Sequence, residues 1–234
     1  MMIRFRKVSF RYEKDESVLT DVHLDFPPGL TMLIGPNGCG KSTLLKLAAG
    51  VEKPDSGTIT IDDHDLWKDE VAARRSLAFV SELPDLTPYA TLREIMNLVC
   101  RLRHEPLEKG REVLEFFDLG SLASRTIREL SLGQRRRAVF AAALIGTPRH
   151  ILLDEPLEGL DRRIQAEILG WISSLLEAGA VVVVVSHTIE PFISSIFRAV
   201  TVKNGFVVLF EDLPAIPDDR LKLLDSLAKG HTPS

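Results

Sequence analysis

The feature that most constrains this chain is a glycine-rich run at residues 35–43, with the sequence GPNGCGKST. It matches the pattern G-x-x-x-x-G-K-[ST], follows an apolar stretch typical of a strand, and precedes a helix-like segment at residues 44–49. In such a loop the backbone N–H groups surround phosphate oxygens, Lys41 adds positive charge near the outer phosphates, and the Ser42 hydroxyl can ligate Mg²⁺. The run therefore predicts a site for a nucleoside triphosphate with Mg²⁺.

Composition restricts the class of protein. The chain has 234 residues, of which 45% are hydrophobic and 26% charged, which is ordinary for a single globular domain or for one domain with a small appendage. A net charge of −4 argues against broad electrostatic attraction to nucleic acid or anionic lipid, so we expect no nucleic-acid partner. The two cysteines, Cys39 and Cys100, imply no disulfide framework and favour a reducing compartment.

No apolar run approaches the roughly 20 residues that a membrane-spanning helix needs. Charged residues near the N-terminus, at positions 4, 6 and 7, interrupt what would be the core of a signal peptide. We therefore expect a cytoplasmic chain, and any role at a membrane would come through another chain.

Hydrophobic patterning predicts an α/β fold with three parts. Alternation in residues 3–10 and 18–26 indicates antiparallel strands near the N-terminus. The middle of the chain, about residues 83–130, reads as a helical insertion, whose first helix starts at Thr91 with capping-box spacing to Glu94. From residue 150 onward a strand, helix, strand order with continuous apolar strands predicts a buried parallel sheet.

Smaller elements complete this prediction. Further strands are expected at residues 56–61 and 76–80, and a helix is expected at residues 107–117. Asn204 and Gly205 predict a tight hairpin near the end of the chain. The remaining tail contains an amphipathic stretch at residues 220–228 whose role the pattern does not indicate.

Three further features carry chemistry. An apolar strand ends in Asp154 and Glu155. Asp154 is placed to hold Mg²⁺ through water, and Glu155 can polarise a water aimed at the terminal phosphate. His187 follows the five-valine strand and can hydrogen-bond a phosphate oxygen. Ser131, with Gly133 two residues later, predicts a helix N-cap that forms a second anion site. The chain thus has two phosphate sites for what looks like one nucleotide.

In this combination and order the chain resembles the ATP-binding subunits of ABC transporters over about residues 2–210. Residues 35–43 resemble the Walker A loop of that family, residues 152–155 its Walker B strand, and residues 131–134 its LSGGQ signature. Residues 159–161 are similar to its D-loop and His187 to its switch histidine, while Tyr12 matches the aromatic residue on which adenine stacks. The resemblance implies an ABC-type P-loop NTPase, with an ATPase domain at residues 1–212 and a short C-terminal tail at residues 213–234.

The resemblance also implies a set of site residues. The catalytic residues would be Glu155, His187 and Lys41, and the Mg²⁺ ligands Ser42, Asp154 and Glu82. The residues implied for binding ATP are Tyr12, Gly35, Asn37, Gly38, Cys39, Gly40, Lys41, Ser42, Thr43, Glu82, Ser131, Gly133, Gln134 and Asp161. In this family two nucleotide-binding domains pack head to tail with ATP between the Walker A loop of one and the signature of the other. We therefore expect a second nucleotide-binding domain, identical or similar, and a separate transmembrane permease.

Two residues depart from the family pattern. Glu82 stands where the family usually has a glutamine that contacts Mg²⁺ and the membrane partner; a carboxylate accepts but cannot donate, and the alternative interpretation is ordinary loop charge. Leu132 replaces the first glycine of the signature. The three arginines at positions 135–137 could suggest nucleic acid, but we predict that they form a solvated helix face.

These patterns leave several functions open. The leading hypothesis is an ATP-hydrolysing, energy-coupling subunit at the cytoplasmic face of a membrane, with residues 82–89 contacting the permease. Glu82 and the short tail favour an export-type complex over an importer. The alternatives are a soluble ABC ATPase acting on ribosomes or DNA, which usually carries tandem domains or a long coiled coil, and a nucleotide switch with little hydrolysis, which Glu155 and His187 disfavour.

Overall fold

The structure is a computed structural model that describes residues 1–13, 16–82 and 86–231. The strands are β1 (Ile3–Glu13), β2 (Glu16–Phe26), β3 (Gly29–Ile34), β4 (Ser56–Ile61), β5 (His64–Asp65), β6 (Leu77–Val80), β7 (His150–Asp154), β8 (Val181–Val185), β9 (Ile196–Lys203) and β10 (Phe206–Phe210). The helices are α1 (Lys41–Ala49), α2 (Glu70–Arg74), α3 (Leu92–Arg103), α4 (Leu107–Phe116), α5 (Leu132–Leu144), α6 (Arg162–Glu177) and α7 (Pro217–Ala228). Short 3-10 turns lie at Gly120–Leu122, Ile127–Glu129 and Glu190–Phe192.

The N-terminal strands form an antiparallel sheet in the order β2-β1-β4-β5, as the alternation predicts. Irregularities interrupt the register between β1 and β2, and Lys7 lies within one of them with a left-handed φ of 53°. One face of this sheet buries apolar side chains against α1 and one face of the second sheet, and Phe5, Phe26 and Leu44 belong to this core. The phosphate-loop helix is therefore enclosed between two sheets.

The second sheet has the order β10-β9-β3-β8-β7-β6. Its strands β9, β3, β8, β7 and β6 are parallel, and β10 pairs with β9 in the antiparallel direction through the predicted hairpin. Leu33 of β3 pairs with Val185 of β8, and Val185 pairs with Asp154 of β7. The carboxyl ends of these three strands thus lie at one edge of the sheet, which brings the loops that follow them together.

Helices cover the face of the second sheet that is turned away from the antiparallel sheet. The predicted cap of α3 is confirmed, since Thr91 Oγ1 accepts from the backbone N–H of Glu94 and the Glu94 carboxylate accepts from the N–H of Thr91. The amphipathic stretch near the C-terminus is confirmed as part of α7, which packs against β3 and buries Leu224 and Leu227 in the larger core.

Strand β5 and helix α2 were not predicted, because two and five residues are too short to show a period.

Within the described part of the chain, no helix has the length and apolar character needed to cross a bilayer.

Candidate nucleotide site

The glycine-rich run forms a compact loop between β3 and α1. Gly40 is the N-cap of α1 with φ of 112°, and Gly35 has φ of 145°, conformations that L side chains rarely adopt. The buried Lys41 donates from Nζ to the carbonyl oxygens of Gly35 and Pro36, at 2.8 Å each. The loop therefore presents backbone N–H groups and one ammonium at the positive end of a helix, which is an anion-binding arrangement.

Ser42 lies in the first turn of α1 and Asp154 at the end of β7, yet the Ser42 hydroxyl donates to Asp154 Oδ1 at 3.4 Å. Burial raises the pKa of the Asp154 carboxyl, the Ser42 hydrogen bond opposes this effect, and the nearby charge of Glu82 adds to it. Glu82 is exposed and lines the same cleft as Ser42 and Asp154. The hydroxyl and carboxylate oxygens of these three residues are the ligand type that Mg²⁺ prefers.

No group of three or more His, Cys, Asp or Glu side chains with metal-binding geometry occurs among the described residues. A metal at Ser42 and Asp154 would therefore take the remaining ligands from phosphate oxygens and water, as Mg²⁺ commonly does.

Glu155 lies directly after β7, with a left-handed φ of 48° and 9% of its surface exposed. Its Oε2 accepts hydrogen bonds from the Ser186 hydroxyl at 3.3 Å and from the His187 backbone N–H at 3.1 Å. Its Oε1 has no hydrogen-bond partner among the described residues and lies 3.7 Å from His187 Nε2. Burial raises the pKa of Glu155, while the His187 N–H lowers it. One carboxylate oxygen is thus anchored, and the other can accept from a water.

Tyr12 lies near the end of β1. Its hydroxyl lies 3.3 Å from Thr43 Oγ1, so the ring stands next to the phosphate loop. Phe10 supports the ring edge-on, with centroids 4.9 Å apart, and 55% of Tyr12 remains exposed. The ring is therefore oriented by the protein and still accessible to a flat ligand.

The prediction that Ser131 caps a helix is confirmed. Ser131 Oγ accepts from the Gln134 N–H at 3.3 Å, and Gln134 Oε1 accepts from the Ser131 N–H at 2.9 Å, which forms a capping box at the start of α5. Within the part of the chain that the structure describes, a Cβ on Gly133 would meet only the Gly159 carbonyl oxygen, at 3.9 Å, so packing there does not require glycine. Among the described hydrogen bonds, none joins Ser131 to the phosphate loop.

Asp161 has a structural role that is visible in the chain itself. Its Oδ1 accepts from the Ile164 N–H at 3.1 Å and caps α6, and this hydrogen bond lowers the pKa of Asp161.

The prediction of a solvated face at residues 135–137 is wrong. Arg136 is buried, Arg135 and Arg137 are half-buried, and each donates to a backbone carbonyl, of Glu82, Leu130 and Phe117 respectively. The reason is that α5 lies in the interior against α4 and β6, so the arginine stems are covered and their head groups reach carbonyls.

Sequence reasoning also missed Ser186 as a partner of Glu155, although its position beside His187 was a usable signal.

A cleft of about 620 Å³ opens beside this site. Ser42 and Asp154 are part of its lining, and apolar side chains of β6, α3 and α5 form much of its wall, among them Phe79, Val99 and Val139. The cleft therefore connects the candidate metal ligands with an apolar surface between the helices and the parallel sheet.

Comparisons with known proteins agree with this geometry. A family model described as ABC transporter matches residues 19–158. A sulfate/thiosulfate import ATP-binding protein of Synechocystis is 34% identical over 197 residues, which cover 82% of this chain and 55% of that protein. A provisionally named ABC transporter ATP-binding protein of Pyrococcus horikoshii is 32% identical over 217 residues, which cover 89% of this chain and 83% of that protein. The chain thus spans little more than half the length of the first of these relatives.

Solved structures show the same fold. An ATP-binding subunit of an ABC transporter superposes with a TM-score of 0.82 at 25% identity, covering 91% of this chain and 90% of that one. A dimeric ATP-binding cassette in a post-hydrolysis state, bound to ADP and Pi, superposes with a TM-score of 0.78 at 27% identity, covering 89% and 98%. The predicted fold class, an α/β P-loop NTPase with an added antiparallel sheet, is confirmed.

Proposed function

The chain belongs to the ABC transporter family, and we propose that it is an ATP-hydrolysing subunit that supplies energy to a separate membrane permease. The observation that carries this proposal is the convergence of the phosphate loop, the Ser42–Asp154 pair and the half-anchored Glu155 at one edge of the parallel sheet. The phosphate loop follows β3, and Asp154 and Glu155 lie at the end of β7, so two strand ends supply these groups, as expected for a site that acts on the phosphates of a nucleotide.

The proposed reaction is attack of a water on the γ-phosphate of ATP, which forms a bond from the water oxygen to the γ-phosphorus, breaks the bond from that phosphorus to the β–γ bridging oxygen, and releases ADP and Pi. Glu155 Oε1 would accept a proton from that water, and His187 would contact the γ-phosphate. Lys41 and the loop amides would stabilise the charge on the phosphate oxygens. Mg²⁺, held by Ser42, Asp154 and Glu82, would neutralise further phosphate charge when bound.

The second phosphate site supports a dimer. Ser131 is exposed at the positive end of α5, and the Gly133 position is open, so both can receive an anion from another molecule. A head-to-tail pair would place the Ser131 turn of one subunit on the nucleotide held by the phosphate loop of the other. The dimeric cassette with ADP and Pi, which shares this fold, is consistent with such an arrangement.

The cleft beside Asp154 fits a membrane partner. The core sheet and the helices both contribute to its apolar wall. A segment docked there would therefore be displaced when the helices move relative to the sheet. Leu98 and Leu102 add exposed apolar side chains on successive turns of α3. Residues 82–89 were predicted to make the permease contact; Glu82 lines the cleft, and residues 83–85 lie outside the described part of the chain. In this proposal the chain is peripheral on the cytoplasmic face, and residues 1–212 form the ATPase domain.

The geometry of the nucleotide site does not bear on the direction of transport, for which Glu82 and the relatives point in different directions. Glu82, which stands where the family usually has a glutamine, favours an export-type complex. The Synechocystis relative, and an Fe(3+) import ATP-binding protein of Photorhabdus laumondii at 34% identity, are named as import proteins and do not support export. The permease that binds this chain therefore decides between the two.

The test is affinity purification of tagged Glu155→Gln protein from detergent-solubilised cells with Mg²⁺ and ATP, followed by mass spectrometry. A polytopic membrane chain in stoichiometric amount supports the proposal, and its own relatives identify import or export. A parallel purification of Lys41→Ala protein is the control, because loss of nucleotide binding should release partners that depend on the ATP-bound dimer. Ribosomal or DNA-bound companions without a membrane chain would instead establish the soluble alternative.

A further inference from the structure

Arg136 is a buried charge that contacts more than one part of the candidate site. It lies on α5, five residues after Ser131, and 9% of its surface is exposed. Its Nη2 donates to the carbonyl oxygen of Glu82 at 3.0 Å and lies 3.6 Å from Glu158 Oε2. Its Nη1 is 3.7 Å from the position that a Cβ on Gly159 would take. One guanidinium therefore contacts the segments after β6 and after β7.

These contacts join three segments with separate proposed roles. Glu82 follows β6 and lines the cleft together with Ser42 and Asp154. Glu158 and Gly159 belong to the loop that begins with Glu155. Ser131 lies at the start of the helix that carries Arg136. Movement of α5 relative to the parallel sheet would have to break the bonds of Arg136 or carry both loops with it.

The buried guanidinium of Arg136 is incompletely paired. Its Nε and Nη1 are buried without a hydrogen-bond partner among the described residues, as is Oε1 of Glu155. Arg136 and Glu155 line the same small gap, of about 10 Å³, which is about the space that one water needs. A buried guanidinium with unpaired donors is a poor device for stability alone, since apolar packing would avoid the desolvation cost.

We propose that Arg136 is a positioning residue for ATP hydrolysis. It holds α5, the helix that Ser131 caps, in a fixed position relative to the Glu82 segment and the Glu155 loop. This inference rests on the proposed ATPase function. Arg136 does not contact the phosphate loop in the described hydrogen bonds, so it would align the reacting groups and leave nucleotide binding by the loop unaffected.

The experiment compares Arg136→Met with Arg135→Met in purified protein. Methionine keeps the unbranched apolar stem and removes the donors. Arg135 is the matched control, because its Nε donates to the Leu130 carbonyl only one turn away, at 3.0 Å. We expect kcat of Arg136→Met to fall about tenfold, the effect of one charge-assisted hydrogen bond, with KM for ATP within about twofold of the unsubstituted protein. Arg135→Met should stay within about twofold in both.

A second readout separates positioning from general destabilisation. Amide hydrogen exchange in Arg136→Met should increase at residues 155–161 and 80–82 and stay unchanged at residues 35–43. Arg136→Lys keeps the charge but carries its donors on a single nitrogen, which cannot reach both loops, so its kcat should lie between those of Arg136→Met and the unsubstituted protein. If Arg136→Met unfolds, the same exchange pattern and loss of kcat are required of Arg136→Lys.

The outcomes distinguish the two proposals. An unsubstituted protein that hydrolyses ATP, with equal kcat in Arg136→Met and Arg135→Met, overturns the role of Arg136 and leaves the ATPase proposal intact. Exchange that rises evenly along the chain also overturns it. An unsubstituted protein without ATPase activity contradicts the proposed function itself.

Discussion

The buried carboxylate of Glu155 accepts a hydrogen bond from the backbone N–H of His187 at 3.1 Å, although the two residues are separated by α6 and β8. Only Oε2 is used in this way, and Oε1 has no hydrogen-bond partner among the described residues. The carboxylate is thus held in orientation while one oxygen stays available to a water. This geometry is what a general base at a hydrolytic site requires.

Glu155→Gln tests this role with minimal change in shape. The glutamine carbonyl oxygen can still accept from the His187 N–H, but the amide cannot take a proton. We expect hydrolysis to fall by about 100-fold or more, with ATP affinity changed by less than about threefold. Phosphate release and equilibrium ATP binding measure the two effects, and a variant that hydrolyses ATP at the normal rate would show that Glu155 is not the catalytic carboxylate.

Tyr12 should contribute to nucleotide affinity through its ring. We expect Tyr12→Ala to weaken ATP binding by about tenfold, as loss of a base-stacking aromatic does, and to leave triphosphate binding alone unchanged. Tyr12→Phe is the control, because it removes only the hydroxyl that lies 3.3 Å from Thr43 Oγ1. Equal loss in both variants would assign the effect to that hydroxyl and not to stacking.

Cys39 should react with a thiol reagent in a manner that ATP prevents. It is half-buried within the phosphate loop, whereas Cys100 is fully buried and burial raises the pKa of its thiol, so Cys39 should be labelled first. At an ATP concentration about ten times its Kd, labelling should slow about tenfold, because only the free form reacts. Mass spectrometry with Cys39→Ala as control identifies the site, and an unchanged rate with ATP would place the nucleotide elsewhere.

The turn after α7 should affect the phosphate loop. Gly230 has φ of 81°, and a Cβ there would lie 3.0 Å from Pro36 Cγ in that loop. Gly179 has φ of 78°, and a Cβ there would meet none of the described atoms within 4 Å, so Gly179→Ala introduces the same backbone strain without the contact.

Both alanine variants should lose about 1 kcal/mol of unfolding free energy through this strain. Only Gly230→Ala should also bind ATP about fivefold more weakly, the equivalent of about 1 kcal/mol of overpacking against Pro36. Urea denaturation and ATP titration separate the two effects. Equal ATP affinity in both variants would show that the loop accommodates the added methyl group.

His150 should make stability sensitive to pH. It is fully buried at the start of β7, with Nε2 3.1 Å from Asp62 Oδ1 and Nδ1 3.1 Å from Ser76 Oγ. Burial lowers the pKa of His150, and the attraction of Asp62 only partly opposes this.

The unfolded chain therefore takes up a proton at higher pH than the folded one does. The stability contributed by neutral His150 is complete above about pH 6.5, the ordinary histidine pKa, and is lost as pH falls from there toward the lower folded pKa. His150→Gln, which can donate and accept without titrating, should reduce the slope of unfolding free energy between about pH 7 and pH 5.5. An identical slope in both proteins would exclude His150 as its source.

The sequence by itself determined the elements whose information is local. The phosphate loop, the caps at Thr91 and Ser131 and the hairpin at Asn204 depend on a few consecutive residues, and the structure contains each of them. The buried valine strand and the amphipathic helix α6 follow in the same way, because their periods are properties of one segment. Fold class follows from the order of these elements.

The tertiary structure alone decided which of these residues meet. Ser42 and Asp154 are 112 residues apart, and only the parallel pairing of β3, β8 and β7 places their oxygens 3.4 Å apart. The anchoring of Glu155 by His187 and the burial of Arg136 also depend on strand order and helix packing. Charge in a sequence predicts exposure, because desolvation is costly. Whether a buried charge finds carbonyl and carboxylate partners is a long-range property, which for Arg136 reversed the prediction.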